Sequence, residues 1–463
     1  MKLSTQWIGN DKYEMPVSQP SRRSTFLSFL MRYPIFLLAF GPPLFRSTAG
    51  VDATKGQLDA WSFLQVGLLS LVAIRAIWRL ASAESIHIPK QIRSIFKLSF
   101  LLGFLFLASA VYSTSHPVSA AYSILYFLTM ICVVDFVIDV YQDPPDWMQC
   151  LLQLRLVMLL LFGLVLVTLA IDSSLVLAIE PGAGIRLGGG AVASVAIICP
   201  MIAVISAYTF LHSLESRVRS FCFFLMGLTG TLSTQSRGSE IALFLSLAIL
   251  GAGWAKTEKR TAYTFISVLM ASILLFGAVV GTVGGERMWN FFNRGESVEG
   301  IESASGRTDI WKFVIQYCMA HPQGMGYIAG FRTLFKEYFA LGLQVDVTHI
   351  GSSHNAFIDI LADAGWLALA LYLVMMAKIV SLGWHFAKKT TLEALAQEDK
   401  GRCAIRCALV LLIFCFAEGI DDSQFSIPLR SAFYLQNIIV ALILSISARM
   451  LVASRIRNIP WAG

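Results

Sequence analysis

The chain has 463 residues, 56% of them hydrophobic and only 14% charged, with a mean hydropathy of +0.68, whereas an ordinary soluble domain is roughly 45–50% apolar and about 25% charged. That balance excludes a soluble globular protein, a disordered chain and a disulfide-stapled secreted module, since none is built from so much Leu, Ile, Val and Phe with so few ions. A polytopic all-α membrane protein remains, and its net charge of +7 reads as a topological signal and not as nucleic-acid binding.

In chain order, residues 1–25 are polar and lack an apolar core behind a charged start, so they are predicted to be a cytoplasmic tail and not a cleaved signal peptide. Crossing the hydrocarbon core takes about 20 apolar residues. Runs of that kind, punctuated by charge, Pro or Gly, predict spans at 26–45, 58–80, 95–113, 118–140, 151–171, 191–212, 218–234, 236–254, 262–284, 356–386, 404–420 and 429–448. The expected organisation is therefore about twelve transmembrane helices, nine within 26–285 and three within 356–448, with a large loop at 286–355 and a second cytoplasmic tail at 449–463. Orientation follows from Lys and Arg. Setting the long loop and the span-borne Arg32, Arg75 and Lys378 aside, most of the 36 basic residues collect on one side, while only Arg46, Lys55, Arg186, Arg237 and Arg430 fall in the short loops of the other. Both termini are then cytoplasmic and 286–355 faces outward. Of eight cysteines only Cys318 falls in an outward loop, and no CxxC spacing suggests zinc.

The outward loop has soluble-type patterning. Ile310, Trp311, Val314, Ile315 and Cys318 recur at helical spacing until Pro322, Gly324 and Gly326 stop them, which predicts a short amphipathic helix with Arg307 at its start. Phe331, Leu334, Phe335, Tyr338 and Phe339 predict a second outer helix. The stretch HIGSSHN then runs into the span beginning near Ala356, with Ser352, Ser353 and Asn355 as cap-forming residues, and sets His354 at a helix N-terminus.

Arg suits an anion because its fork of donors meets phosphate or carboxylate oxygens in pairs and stays charged. Arg186, Arg237 and Arg307 are the candidates; interfacial anchoring, or pairing with an acid such as Glu240 three residues after Arg237, is the alternative. His354 is the candidate base, since imidazole titrates near 6.5 and a helix N-terminus favours its neutral form; a capping histidine is the alternative. His321, before Pro322, and Glu418, Asp421 and Asp422, at the outer end of the eleventh span, are possible acceptor or supporting groups, with a solvated loop as the alternative. His349 lies five residues before His354 and is read as a loop residue. GIRLGGGA reads as a flexible turn before a span, and no metal, cofactor or nucleotide-sugar motif is present in the sequence.

Arg186 in IRLGGG, SRGSEIALFL at 236–245, SGRTDIW at 305–311, HPQGMGY at 321–327 and HNAFIDILADAGWLALALYL at 354–373 together resemble the O-antigen ligase/polymerase family of bacterial inner-membrane glycosyltransferases. The resemblance covers roughly residues 186–375. It implies a glycosyltransferase C-like fold and transfer of a glycan from an undecaprenyl-diphosphate carrier to a glycan or lipid acceptor at the periplasmic face, without metal. With that donor, Arg186, Arg237 and Arg307 are the expected diphosphate-binding residues; the resemblance also implies that His354 is catalytic, and a chain-length regulator is a possible partner. The stretch FNRGESVEGIESASGRTDIW resembles more closely the polymerases of exopolysaccharide systems, which favours a polymerase over an O-antigen ligase acting on lipid A–core. A lipid-linked glycan transporter is the rival from another class, but transporters usually show internal repeats and midplane ionisable groups, and neither is evident here.

Overall fold

Pro34 settles the shape of the first element. It lacks an N–H and disfavours helix in the residue before it, so the chain forms α1 (Phe26–Arg32), breaks at Tyr33 and resumes as a 3-10 helix at Pro34–Ala39. In this computed structural model, which describes residues 26–39, 60–82, 88–142, 146–173, 177–180, 184–187, 192–255, 307–329, 353–388, 396–421, 425–428 and 430–457, the expected continuous span at 26–45 is thus corrected to a broken segment. Phe36, Leu38 and Ala39 are fully buried.

Long apolar runs, with no Pro beyond the first turn, supply α2 (Ala60–Ser82), α3 (Lys90–Ser109), α4 (His116–Gln142) and α5 (Trp147–Ile171). A two-stranded antiparallel ribbon follows, β1 (Leu177–Glu180) with β2 (Gly184–Leu187), in the register Leu177 to Leu187 and Ala178 to Arg186. The expectation of a flexible turn at GIRLGGGA is corrected over its first residues, where Ile185 and Leu187 favour a strand. Next come α6 (Val192–Leu211), α7 (Arg217–Thr234) and α8 (Arg237–Ala255), and later α9 (Arg307–Ala320), α10 (Ala356–Lys388), α11 (Ala396–Gly419) and α12 (Ser431–Arg457).

The described residues are nearly all helical, and among them six helices are long and apolar enough to cross a membrane: those of α2, α3, α4, α5, α10 and α12. The other expected spans within the described residues fall on α6, α7, α8 and α11, which are also helical. The span expected at 262–284, the second outer helix and both outer parts of the long loop lie outside the described residues. At the C-terminal end α12 runs to Arg457, so the first residues of the tail expected at 449–463 continue the helix.

Small residues set the closest helix contact. On α7, a Cβ at Gly227 would lie 2.7 Å from Ala203 N and Cys199 O of α6, and one at Gly230 would lie 2.6 Å from Cys199 Sγ. The two helices therefore pack backbone to backbone. At the top of α7, Gln235 takes a left-handed φ of 52° and the chain turns at once into Arg237 of α8.

The helix α10 is two helices joined at a break. Gly365 has φ 78° and ψ −175°, a conformation natural only to glycine. The HPQGMGY stretch fills the break: Met325 N–H donates to Ala362 O (2.7 Å), Gly326 N–H to Asp363 O (2.9 Å), and Trp366 N–H to Pro322 O (3.1 Å). A side chain at Gly365 would collide with Pro322 O, and one at Gly324 would meet Gly365 N at 2.7 Å. Tyr327 then anchors the stretch. Its ring stacks on Phe106 at 4.0 Å and its hydroxyl donates to Ser426 O at 3.1 Å. Tyr112 Oη donates to Gln323 O at 2.6 Å; burial, reinforced by the Asp363 charge, pushes this phenol up to about 12, so it stays a donor. The span expected as one helix over 356–386 is therefore corrected to 356–364, buried within the protein, followed by a longer apolar helix.

Candidate functional site

The pattern that predicts a helix from Arg307 is met in α9, whose Ile310, Val314 and Cys318 turn inward against Leu361 and Ala362 of α10. Ile315, expected on that apolar face, is instead 39% exposed. This packing sets the first residue of α9 beside the first residues of α10. Arg307 reaches Asp421 through Nη1, which pairs with the carboxylate Oδ1 and also donates to Asp421 O at 3.3 Å. Asp421 stands in the turn that closes α11, its N–H bonded to Glu418 O. The pair is half-open, with side-chain exposures of 22% and 34%.

The α7–α8 turn closes the other side. Gly238 lies so close to Asp421 that a Cβ there would run into the carboxylate, and Ser239 Oγ donates to Glu418 Oε1 at 2.6 Å. Glu418 is 1% exposed. Arg237, between Ser236 and Gly238, is thereby fixed at the start of α8 next to this acidic turn.

His354 precedes α10 in a left-handed conformation, φ 54°. The helix cap is not His354 but Asn355, whose Oδ1 accepts from Phe357 N–H (2.9 Å) and Ile358 N–H (3.1 Å); an amide side chain caps well and tolerates the adjoining turn. Burial and then the Arg307 charge lower the His354 pKa from its ordinary value, against an upward pull from Asp421. The neutral form of the imidazole is thus favoured beside a cation.

The structure therefore gathers Arg307, His354, Asp421, Glu418 and the Arg237 turn from four separated stretches of chain. Arg186 stands on β2, which packs against α7. His321 does not join them: it follows the last residue of α9, about 20 Å along the helix from Arg307, exposed and ring to ring with Tyr317. Asp422 and His349 lie outside the described residues.

Sequence reasoning named Trp311 as an apolar-face residue and Ser353 as a cap former, without their contacts, and passed over Asp359. Trp311 Nε1–H donates to Ser353 O at 2.9 Å, and Asp359 Oδ1 accepts from Ser353 N–H at 2.9 Å and Ser353 Oγ–H at 2.5 Å. A signal was present, since a carboxylate inside an apolar run is costly without a partner. Chemically, guanidinium groups at a half-open site suit an anionic oxygen cluster, and a neutral buried imidazole suits proton abstraction from a hydroxyl.

The family model described as O-antigen ligase matches residues 221–373, about a third of the chain, from within α7 to the middle of α10. The matched stretch holds Arg237, Arg307 and His354 and supports the O-antigen ligase/polymerase family, whose members are glycosyltransferase-like enzymes. No curated protein matches the chain.

Proposed function

We propose, with membership of that family as the premise, that this membrane protein is a bacterial inner-membrane glycosyltransferase that polymerises undecaprenyl-diphosphate-linked repeat units of a surface polysaccharide at the periplasmic face. Its topology in this reading has twelve spans, both termini cytoplasmic, and residues 286–355 outside. The observation that carries the proposal is the meeting of Arg307, Asp421 and His354 beside the Arg237 turn.

A polyprenyl-diphosphate donor already carries its leaving group, so the protein has to neutralise charge and take one proton. Arg307, Arg237 and Arg186 bind the diphosphate. The dipole of α9, whose first residue is Arg307, adds to the same field. Displaced from Arg307 by the diphosphate, Asp421 receives sugar hydroxyls, and Glu418, buried and bonded to Ser239, supports the turn that carries it. His354 accepts the proton of the acceptor hydroxyl as its oxygen bonds to the anomeric carbon; the bond from that carbon to the diphosphate oxygen breaks, and the electron pair leaves with the carrier. No metal is needed for these steps, because Arg supplies the charge.

A ligase acting on lipid A–core is the second reading, favoured by the description of the matching family. Purified protein given a synthetic polyprenyl-diphosphate repeat unit separates the two. Consumption without an added acceptor supports polymerisation, and consumption only with lipid A–core supports ligation. Consumption by neither route, or full turnover in His354→Ala, overturns the reading.

A further inference from the structure

His354 holds a left-handed backbone conformation that a side chain with a Cβ disfavours, and its neighbours hold it there through named bonds. Ser353, fully buried, is tied on both sides of its peptide: its carbonyl accepts from the Trp311 indole, and its N–H and hydroxyl both reach one oxygen of Asp359. On the far side, Asn355 locks the peptide into the first turn of α10. Asp359 is 3% exposed and lies four residues after Asn355, on the face that looks back at the turn. Trp311 lies four residues after Arg307, on the same face of α9.

The geometry points to Trp311 and Asp359 as positioning residues for His354, holding the 353–355 turn at a fixed distance from Arg307. One helix carries both the cation and the indole strap, so α9 sets the separation between the diphosphate-binding group and the base. Asp359 acts as a hydrogen-bond acceptor and not through its charge. The inference rests on the reading of His354 as the base.

The test uses the full-length purified protein with the polyprenyl-diphosphate repeat unit, measuring kcat and donor KM separately. A displacement of about 1 Å at a reacting group can lower turnover on the order of 10²-fold. Asp359→Ala should therefore lower kcat by about 10–100-fold and leave donor KM within about twofold. Asp359→Asn keeps an acceptor oxygen and should recover kcat to within about threefold of wild type. Trp311→Phe keeps the ring but loses the donor, and should lower kcat by about 5–10-fold with KM unchanged. This variant decides the matter alone if Asp359→Ala does not fold. Wild-type kcat in both Asp359→Ala and Trp311→Phe, with His354→Ala inactive, overturns the inference and leaves the base in place. An Asn variant as impaired as the Ala variant also overturns it, and full turnover in His354→Ala overturns both.

Discussion

Two arginine–carboxylate pairs in this molecule are built to opposite specifications. On α5, Arg155 grips Glu215 with both terminal nitrogens, at 2.5 and 2.8 Å, and its guanidinium lies 4.8 Å over the Phe223 ring. Ser220 Oγ donates to the same carboxylate at 2.8 Å, and the side chains are only 5% and 10% exposed. Burial pushes Glu215 upward, but the Arg155 hydrogen bond and charge outweigh it, and the carboxyl lies below its usual range. Arg307 meets Asp421 through a single nitrogen, in the half-open setting described above, beside a strained histidine. A bidentate pair ringed by hydroxyls has its chemistry completed within the fold. A one-nitrogen pair facing an opening can exchange its carboxylate for an incoming anion.

The sharpest way to break the comparison is to remove each arginine. Arg155→Ala leaves a buried carboxylate uncompensated, which costs about 3–5 kcal/mol, and is expected to lower the melting temperature in detergent while the folded fraction keeps its specific activity. The pair's contribution is present above the unfolded Glu pKa and is lost as pH falls through the depressed folded value. An activity loss without a stability loss would make Arg155 part of the site. Arg307→Ala and Arg307→Lys should both lower turnover on the order of 10²-fold without lowering the melting temperature, because a point charge cannot replace a two-pronged fork; full activity of the Lys variant argues against paired phosphate contacts.

Two smaller effects sharpen the contrast. Gly365→Ala introduces strain of about 1–3 kcal/mol at the break and is expected to lower the melting temperature and turnover together. The acid limb of the pH–rate profile should fall below the ordinary imidazole range, since His354 must be neutral to act and its pKa is lowered. Asp421→Asn removes the one influence that raises it, so the limb should move to still lower pH; a limb that moves upward contradicts the assignment.

What was legible in the sequence depended on range. Arg307 at a helix start followed from Ile310, Val314 and Cys318 three to four residues apart, a purely local pattern. The break at Gly365 was not legible, because ADAGWLALALYL reads as one apolar run and glycine is ordinary in membrane helices; only the approach of Pro322, more than forty residues earlier, requires it. Glu418 and Asp421 stood out as an acidic cluster, yet their partners Ser239, Gly238 and Arg307 are brought by tertiary packing. Asn355, expected among the cap formers, is the cap because its amide oxygen reaches two N–H groups of the first turn of α10.

The hinge-like joint at Gly365 also isolates the site mechanically. Residues 366–388 form a rod of about 34 Å, long enough to change its tilt as bilayer thickness varies. A continuous helix would carry that tilt straight into its first turn. Here the run of helical bonds stops at Gly365 while residues 353–364 are held by α9 and the Pro322–Tyr327 stretch, so a tilt of the rod meets the site through the Trp366 bonds to Pro322 O and Cys318 O and not along the helix itself.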